Sequence, residues 1–466
     1  MPFPEFPRTL IRRIMQIACC GLIASAFAAT DSAALASSAL NCHIGTYRLA
    51  RGGFVDIAPS DGKTLRWRRF DGTTGALHRT ASGDWIGTYG WTDRSDGTQV
   101  SFSDCKTRRI DFNGVAGRRI AFDVTNTTFQ SRGTKLAGRL VMPRGTAKVP
   151  VVVLIHGSER DSALVYYYLQ RTLPAEGIGV FVYDKRGTGI SGGTYTQDFS
   201  LLADDAVAAM REARRLAGAR LRRIGYQGGS EGGWVAPIAA NRAPVDFVIV
   251  CFGLAVNVID EDQQGVELQM RERGYSAKVI SQALEVARAA ETVIASGFTR
   301  GFARFTAVKN RYRNQPWFKD VRGDYTWLLL PYSTAQLRAM APKYKWGTPF
   351  RYDPMPTLRA DTVPQLWILG GEDYEAPSAV TREHIKSLIA EDRPFTLAYY
   401  PHAEHGMTLF ESKADGTRVS TRYAPGYFAM MRDFIRDGRL HDRYGDSVVT
   451  AQRASVRHAG AEAKGN

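Results

Sequence analysis

Short, uninterrupted apolar runs recur along the chain between residues 151 and 400, separated by longer stretches of mixed polarity. They are Val151–Ile155, Ile178–Tyr183, Ile224–Gln227, Phe247–Phe252, Gln365–Leu369 and Phe395–Tyr400. Such runs are typical of strands that are buried on both faces of a parallel sheet. Helical spacing of apolar residues separates most of them, as in Leu201–Leu216. Because strands alternate with helices, the pattern predicts a doubly wound, mostly parallel α/β sheet.

The segment that precedes this sheet has a different pattern. Residues 40–115 alternate short β-like runs with Gly-rich and Asp-Gly turns, such as Asp71-Gly72 and Asp96-Gly97. This spacing predicts a small antiparallel, β-rich N-terminal domain. A further pair of strands within 118–143 leads into the first part of the α/β core, which we place at 118–254.

An insertion separates the fourth apolar run from the fifth. Residues 255–351 begin with helical periodicity and continue with many aromatic residues, which is too long a stretch for a loop. We interpret it as a helical cap whose aromatic residues form the cap core, with a substrate cage as the alternative. The second part of the core then occupies 352–436. The tail at 437–466 is rich in Gly, Asp, Arg and Ala and is predicted to be disordered.

The first 29 residues have the pattern of a secretory signal peptide. Arg8, Arg12 and Arg13 precede the uncharged apolar stretch Ile14–Ala29, and Ala26-Phe27-Ala28 supplies a small-x-small cleavage motif. The sequence therefore predicts an exported protein, either periplasmic or secreted. The alternatives are a membrane anchor, for which the apolar stretch is short, and lipid attachment at Cys19 or Cys20.

Three cysteines follow the predicted signal peptide. Cys42 and Cys105 lie near the two ends of the β-rich segment, and in an oxidising compartment they are candidates for a disulfide. Cys251 lies in an apolar run and is predicted to be a buried free thiol. The alternative is that all three are reduced.

The net charge of +15 is unevenly distributed, since residues 30–150 contain 18 Lys and Arg against 10 Asp and Glu. A basic face is compatible with an anionic cell-envelope surface as a partner, and the alternative is an ordinary solvated surface. The sequence contains no nucleic-acid-binding motif, metal-ligand spacing, P-loop or dinucleotide fingerprint. We therefore expect no nucleic-acid partner, no metal and no cofactor. The oligomeric state is not predicted.

The strongest chemical signal is Gly228-Gly229-Ser230-Glu231-Gly232, which follows a strand-like run and precedes a helical one. G-x-S-x-G in this context is typical of a nucleophile elbow, in which glycines permit a sharp turn that exposes the serine hydroxyl. Ser230 is therefore the candidate nucleophile. The backbone N–H of Glu231, near the start of a helix, is a candidate oxyanion donor.

With these motifs the chain resembles the α/β-hydrolase superfamily, over about 135–436, and its bacterial esterase, dienelactone-hydrolase-like and prolyl-oligopeptidase-like branches. His156-Gly157-Ser158 after the first apolar run resembles the family's oxyanion loop, which implies the Ser158 N–H as the second donor. Residues 183–191 resemble the family's D-x-R-G-x-G-x-S loop. In this loop Arg186 is expected to be a scaffold residue that pairs with carboxylates. His156, in the oxyanion loop, is expected to have a structural role.

The resemblance also implies an acid and a base that follow the elbow in chain order. The acid is expected to be Asp373, in Leu369-Gly370-Gly371-Glu372-Asp373, with Glu372 as the alternative. The base is expected to be His405, which Gly406 follows as in the family, with His402 as the alternative. The chain departs from the family pattern at Glu159, where many relatives have glycine. The resemblance therefore does not predict the detailed geometry of the oxyanion loop.

These residues predict a serine hydrolase that cleaves small carboxylic esters through an acyl-serine intermediate. A serine peptidase on the same fold is the first alternative, and it would need a site for the peptide N-terminus. The second is a non-catalytic envelope-binding protein that uses the fold as a scaffold. A thioesterase is disfavoured for an exported protein, because acyl-CoA is scarce outside the cytoplasm.

Overall fold

The computed structural model describes residues 42–60, 64–441 and 443–451. The predicted signal peptide, with Cys19 and Cys20, lies outside the described residues. From His43 onward the described chain forms one compact unit. None of its helices is long and apolar enough to cross a membrane.

The N-terminal β-rich segment is a closed barrel in which each strand pairs with the next in antiparallel fashion and β1 pairs with β8. Its strands are β1 (Gly45–Leu49), β2 (Phe54–Pro59), β3 (Leu65–Arg69), β4 (Thr74–Arg79), β5 (Trp85–Thr88), β6 (Ser95–Phe102), β7 (Arg109–Phe112) and β8 (Val115–Arg119). Apolar side chains such as Ile57, Leu77 and Trp85 fill it. The sequence predicts the antiparallel strands but not their closure, and β8 continues past the expected end at residue 115.

The α/β core is built on a nine-stranded sheet in the order β19-β16-β15-β14-β13-β11-β12-β10-β9. Its strands are β9 (Phe122–Ser131), β10 (Thr134–Pro143), β11 (Val149–Ile155), β12 (Gly179–Tyr183), β13 (Leu221–Gly229), β14 (Phe247–Cys251), β15 (Gln365–Gly370), β16 (Phe395–Tyr400) and β19 (Val448–Ala451). The six strands from β11 to β16 pair in parallel, and the strands at both edges are antiparallel. This confirms the predicted mostly parallel sheet.

Helices cover both faces of this sheet. On one face lie α3 (Phe199–Ala217), α4 (Gly232–Arg242), α10 (Met355–Ala360) and α11 (Ser378–Ala390). On the other lie α1 (Ala163–Tyr166), α2 (Leu169–Ala175) and α12 (Tyr427–Asp437). Two separate apolar cores result, which is the arrangement of a doubly wound α/β fold.

The cap insertion between β14 and α10 is helical, as predicted. Its helices are α5 (Val258–Glu272), α6 (Ala277–Ala295), α7 (Phe302–Tyr312), α8 (Thr326–Leu329) and α9 (Thr334–Met340). Aromatic residues of the insertion, including Phe302, Phe305 and Trp317, are buried in a third core of their own. These side chains therefore form the cap core, which is the first of the two predicted roles.

The expectation of a disordered tail is wrong for part of 437–466. Val448–Ala451 form β19, which pairs antiparallel with β16 from Thr396↔Ala451 to Tyr399↔Val448. Backbone hydrogen bonds to an open sheet edge order this segment in spite of its polar surroundings. Residues 452–466 lie outside the described part.

A two-stranded hairpin, β17 (Thr408–Ser412) and β18 (Arg418–Tyr423), links the barrel to the core. The barrel's Trp91 N–H donates to the Ser420 carbonyl at 2.9 Å, and the Tyr423 N–H donates to the Gly72 carbonyl at 2.9 Å. The barrel is thus fastened to the segment that directly follows the candidate base, His405.

The cysteines follow the predicted pattern. Cys42 and Cys105 are disulfide-bonded. Cys251 is free and fully buried, and burial raises the pKa of its thiol to about 11.

Candidate functional site

Ser230 lies on a tight turn between β13 and α4. Its φ of +52° is in the left-handed region, which is uncommon for a residue with a side chain. The turn is closed by glycines: a Cβ on Gly228 would lie 2.2 Å from the Gly232 carbonyl oxygen, and one on Gly232 would lie 2.9 Å from the His156 carbonyl oxygen. This is the strained strand-turn-helix geometry of a nucleophile elbow, as the sequence predicts.

Asp373 and His405 are joined at the carboxyl ends of neighbouring strands β15 and β16. The His405 Nδ1 atom lies 3.0 Å from Oδ2 and 3.1 Å from Oδ1 of Asp373. Asp373 is 1% exposed, and its Oδ1 also accepts the backbone N–H groups of Glu375 and Ala376. A carboxylate held in this way can fix the orientation and tautomer of the imidazole.

The two alternative residues form a pair of their own at the surface. His402 Nδ1 lies 3.5 Å from Glu372 Oε1, and the His402 side chain is 72% exposed. Glu372 is also 3.4 Å from the Arg418 guanidinium. Such an exposed, loosely held pair is poorly suited to direct a proton, so the geometry favours Asp373 and His405.

Phe252 connects the elbow to His405. Its ring meets the imidazole edge to face with centroids 4.8 Å apart, and a Cβ on Gly229 would lie 2.7 Å from the same ring. Gly229, the residue before Ser230, and His405 thus contact the same aromatic side chain. The Ser230 hydroxyl makes no hydrogen bond to a described residue. Catalytic hydrogen bonds are often loose in free enzymes and tighten when substrate binds.

The two candidate oxyanion donors come from segments in direct contact. A Cβ on Gly157, beside Ser158, would lie 3.4 Å from the Gly229 carbonyl oxygen. Among the hydrogen bonds of the described residues, none uses the backbone N–H of Ser158 or of Glu231. Both groups are therefore available to an incoming carbonyl oxygen.

Glu159, the departure from the family pattern, turns back onto the oxyanion loop. Its carboxylate accepts a hydrogen bond from Tyr167 and lies 3.4 Å from His156 Nδ1. Although burial opposes ionisation, these two partners lower the pKa of Glu159 to about 2. Glu159 and the buried His156 thus stiffen the loop. Arg186 pairs with Asp205, as expected for a scaffold residue.

Carboxylates surround His405 beyond the predicted acid. Burial by itself would lower the His405 pKa, but Asp373, Glu375 and Asp324 outweigh it and raise the pKa to about 10. The Glu375 Oε2 atom lies 3.7 Å from His405 Nε2. The site therefore favours a positively charged imidazole.

The cap contributes a further buried carboxylate, Glu261 of α5. The residue is 8% exposed, and its side chain makes no hydrogen bond or ion pair with a described residue. One helical turn later, a Cβ on Gly265 would lie 3.1 Å from the Tyr374 carbonyl oxygen, so this face of α5 packs against the loop that holds Asp373. Burial, together with Asp324, Asp262, Asp373 and Glu375, raises the Glu261 pKa well above its usual value.

Four residues of this site are not predicted from the sequence: Glu375, Asp324, Glu261 and Phe252. Glu375 could have been found, because it lies two residues after Asp373. Asp324 and Glu261 carry no local signal, since only the folded cap brings them towards His405. Within the described ranges, no cluster of three or more His, Cys, Asp or Glu residues is arranged to hold a metal ion.

Residues 146–413, more than half of the chain, match the family described as "Serine aminopeptidase, S33". The chain belongs to this family. A curated relative, Thiohydrolase aneE of Aspergillus aculeatus, is 27% identical over 302 residues, which are 61% of this chain and 86% of the relative. The protein is therefore a serine hydrolase of the α/β-hydrolase superfamily.

Two solved structures match parts of the chain at low sequence identity. The Pyrococcus furiosus esterase Pf2001 has a TM-score of 0.39 and 15% identity, and the match covers 61% of this chain and 84% of the esterase. The Pyrococcus horikoshii acylaminoacyl peptidase has a TM-score of 0.41 and 13% identity, and the match covers 86% of this chain and 57% of the peptidase.

Proposed function

We propose that the protein hydrolyses small carboxylic esters with Ser230 as nucleophile, His405 as general base and acid, and Asp373 as the residue that orients the imidazole. The observation that carries the proposal is the double contact of His405 Nδ1 with the buried Asp373 carboxylate, beside a serine on a strained elbow. This combination serves nucleophilic acyl transfer.

In the proposed reaction, Ser230 Oγ attacks the ester carbonyl carbon while His405 Nε2 takes the hydroxyl proton. The carbonyl oxygen becomes an oxyanion that accepts hydrogen bonds from the Ser158 and Glu231 N–H groups. His405 then protonates the leaving alkoxide, and an acyl-serine remains. A water molecule, deprotonated by His405, hydrolyses the acyl-serine and regenerates Ser230.

Turnover of a short-chain p-nitrophenyl ester tests this proposal. Ser230→Ala should remove the activity and the labelling by a fluorophosphonate probe, whereas Ser82→Ala, an exposed barrel-loop serine, should change neither. Retained turnover in Ser230→Ala would place the nucleophile elsewhere. Because the curated relative is called a thiohydrolase, a p-nitrophenyl thioester belongs in the same assay.

A second candidate is an aminopeptidase acting on a free peptide N-terminus. The specific observation in its favour is Glu261, a buried carboxylate without a partner among the described residues, in a cap region that also contributes Asp324. An ammonium group would neutralise these carboxylates. In the substrate of an aminopeptidase, this ammonium belongs to the residue that supplies the acyl group.

Aminoacyl p-nitroanilides compared with their N-acetylated forms distinguish the two candidates. The aminopeptidase requires faster turnover of the free amine, and Glu261→Gln should then raise KM for that substrate alone. Glu267→Gln, at a partly exposed glutamate of the same helix that pairs with Arg271, is the matched control. Equal rates for the free and acetylated substrates would rule out recognition of the amine.

We also propose that the protein is exported and that its first 29 residues are removed. The basic and apolar pattern of residues 8–29 and the Cys42–Cys105 disulfide support this. Intact-mass analysis of the protein from its native host tests it. A mature N-terminus near Thr30 is the expected result, and an intact Met1 terminus would contradict it.

A further inference from the structure

Lys185 is buried beside the oxyanion loop and contacts both segments that supply the candidate oxyanion donors. Its ammonium donates to the Gly157 carbonyl oxygen at 3.0 Å and forms an ion pair with the Glu231 carboxylate. The two side chains are 2% and 4% exposed. The mechanism proposed above uses neither charge, so this pair has no assigned purpose.

The hydrogen bond from Lys185 to the Gly157 carbonyl fixes the direction of the Ser158 N–H. The Gly157 carbonyl and the Ser158 N–H belong to the same peptide unit, which is planar and trans, so the two groups point in opposite directions. When Lys185 holds the carbonyl on the buried side, the Ser158 N–H is turned away from Lys185. The Ser158 carbonyl is held in turn by the Tyr195 hydroxyl at 2.6 Å.

The ion pair between Lys185 and Glu231 restrains the second candidate donor, the Glu231 N–H. Glu231 follows the nucleophile, and its backbone N–H is the second proposed donor. Because its carboxylate is tied to Lys185, the residue is held against the oxyanion loop as well as by the turn of the elbow. The Lys185 ammonium also lies 4.7 Å from the centre of the Tyr195 ring, in a cation–π contact.

We propose that Lys185 is a positioning residue that holds the Ser158 and Glu231 N–H groups in register as one oxyanion hole. The inference rests on the proposed function, since it requires that these donors stabilise a tetrahedral oxyanion. Preorganised donors act on the transition state and not on substrate binding, so loss of Lys185 should lower kcat with little change in KM.

The alternative is that the ion pair only stabilises the fold. Removing one partner would leave a buried, unpaired charge and could unfold the protein, so the informative variant removes both charges: Lys185→Met combined with Glu231→Leu. The matched control is Arg186→Met combined with Asp205→Leu, which removes the neighbouring buried pair that has no contact with Gly157 or Glu231.

Each variant is assayed with the ester substrate at a temperature where circular dichroism shows it folded. We expect the Lys185/Glu231 double variant to lose about 10–100-fold in kcat, with KM within about threefold of the parent. Its affinity for a trifluoromethyl ketone, which forms an oxyanion on Ser230, should fall in parallel. The control pair should keep kcat within about threefold.

A folded double variant with near-parental kcat and inhibitor affinity would overturn the proposal. If the double variant does not fold, Lys185→Met alone replaces it, because it removes both contacts of the ammonium, and burial, which already raises the pKa of Glu231 to about 7, lets the remaining carboxyl group become neutral. Unchanged kcat and inhibitor affinity in this variant would equally overturn the proposal. Failure of the proposed function is recognised separately, since the parent protein would then show no Ser230-dependent turnover.

Discussion

Glu375 places its Oε2 atom 3.7 Å from Nε2 of His405, the ring nitrogen opposite the one that contacts Asp373. Both ring nitrogens therefore face a carboxylate. Since Nε2 must accept the Ser230 proton in the proposed reaction, Glu375 stabilises the protonated imidazole, which cannot act as the base.

Glu375→Gln should move the acid limb of the pH profile of kcat/KM to lower pH. The variant removes one of the carboxylates that hold the His405 pKa at about 10, so neutral imidazole persists to lower pH. Glu375 is 59% exposed, so we expect a shift of less than about one pH unit that shrinks at high salt. The measurement is kcat/KM between about pH 7 and 11.5, which samples both sides of a pKa of about 10.

Glu383→Gln on α11 is the control, because Glu383 is exposed and paired with Lys386. It should leave the acid limb where it is. An unmoved limb in Glu375→Gln would mean that the acid limb does not report His405.

The choice between His405 and His402 as the base gives a second prediction. His405→Ala should lower kcat by about 10⁶-fold, as removal of a triad histidine does. His402→Ala should stay within about twofold of the parent, because this side chain is exposed and, among the described residues, its one ion-pair contact is Glu372, at 3.5 Å. Steady-state kinetics on the ester substrate measures both, and the reverse result would exchange their roles.

Much of the fold was predictable because its signals are local. The uninterrupted apolar run Val151–Ile155 identifies β11, and G-x-S-x-G after β13 identifies the elbow, since each pattern has one sterically favoured structure. The tail was not predictable in the same way. Val448–Ala451 become a strand only because the edge of β16 offers backbone partners, and composition does not encode that edge.

Some residues of the candidate site were likewise predictable from local sequence, and others were not. Asp373 and His405 follow strands, so their meeting follows from the order of parallel strands in the sheet. Lys185 also follows a strand, but its partner Glu231 is 46 residues away, and nothing local shows that their charges meet. Glu261 and Asp324 depend on how the cap packs over the sheet, which its helical periodicity does not specify.

The cysteines give a third prediction. In the native protein, iodoacetamide should leave Cys251 unlabelled, because the thiol is fully buried and burial raises its pKa to about 11. Unfolding without reductant should expose Cys251 but not Cys42 or Cys105. Peptide mapping by mass spectrometry measures all three, and labelling of Cys105 before reduction would contradict the disulfide.

The barrel reaches the candidate base through a short chain of contacts. Trp91 N–H donates to the Ser420 carbonyl, the Ser420 hydroxyl donates to the Glu404 carboxylate, and Glu404 precedes His405. Next to Trp91, Gly90 has a φ of +57°, and a Cβ there would lie 2.2 Å from the Thr421 carbonyl oxygen. A side chain at residue 90 would therefore push the hairpin away from the barrel.

Gly90→Ala should consequently impair both stability and catalysis. The positive φ and the backbone clash together should cost about 1–3 kcal/mol of the free energy of unfolding, measured by urea denaturation. Gly97→Ala is the matched control: Gly97 also has positive φ in the barrel, at +78°, but no atom lies within 4 Å of its added Cβ. It should therefore show only the smaller cost of the φ strain and an unchanged kcat.

If Gly90→Ala is destabilised and yet keeps the parental kcat, the barrel stabilises the hairpin without positioning His405. A fall in kcat at temperatures where the variant is fully folded would instead make the barrel part of the machinery that holds the base in place.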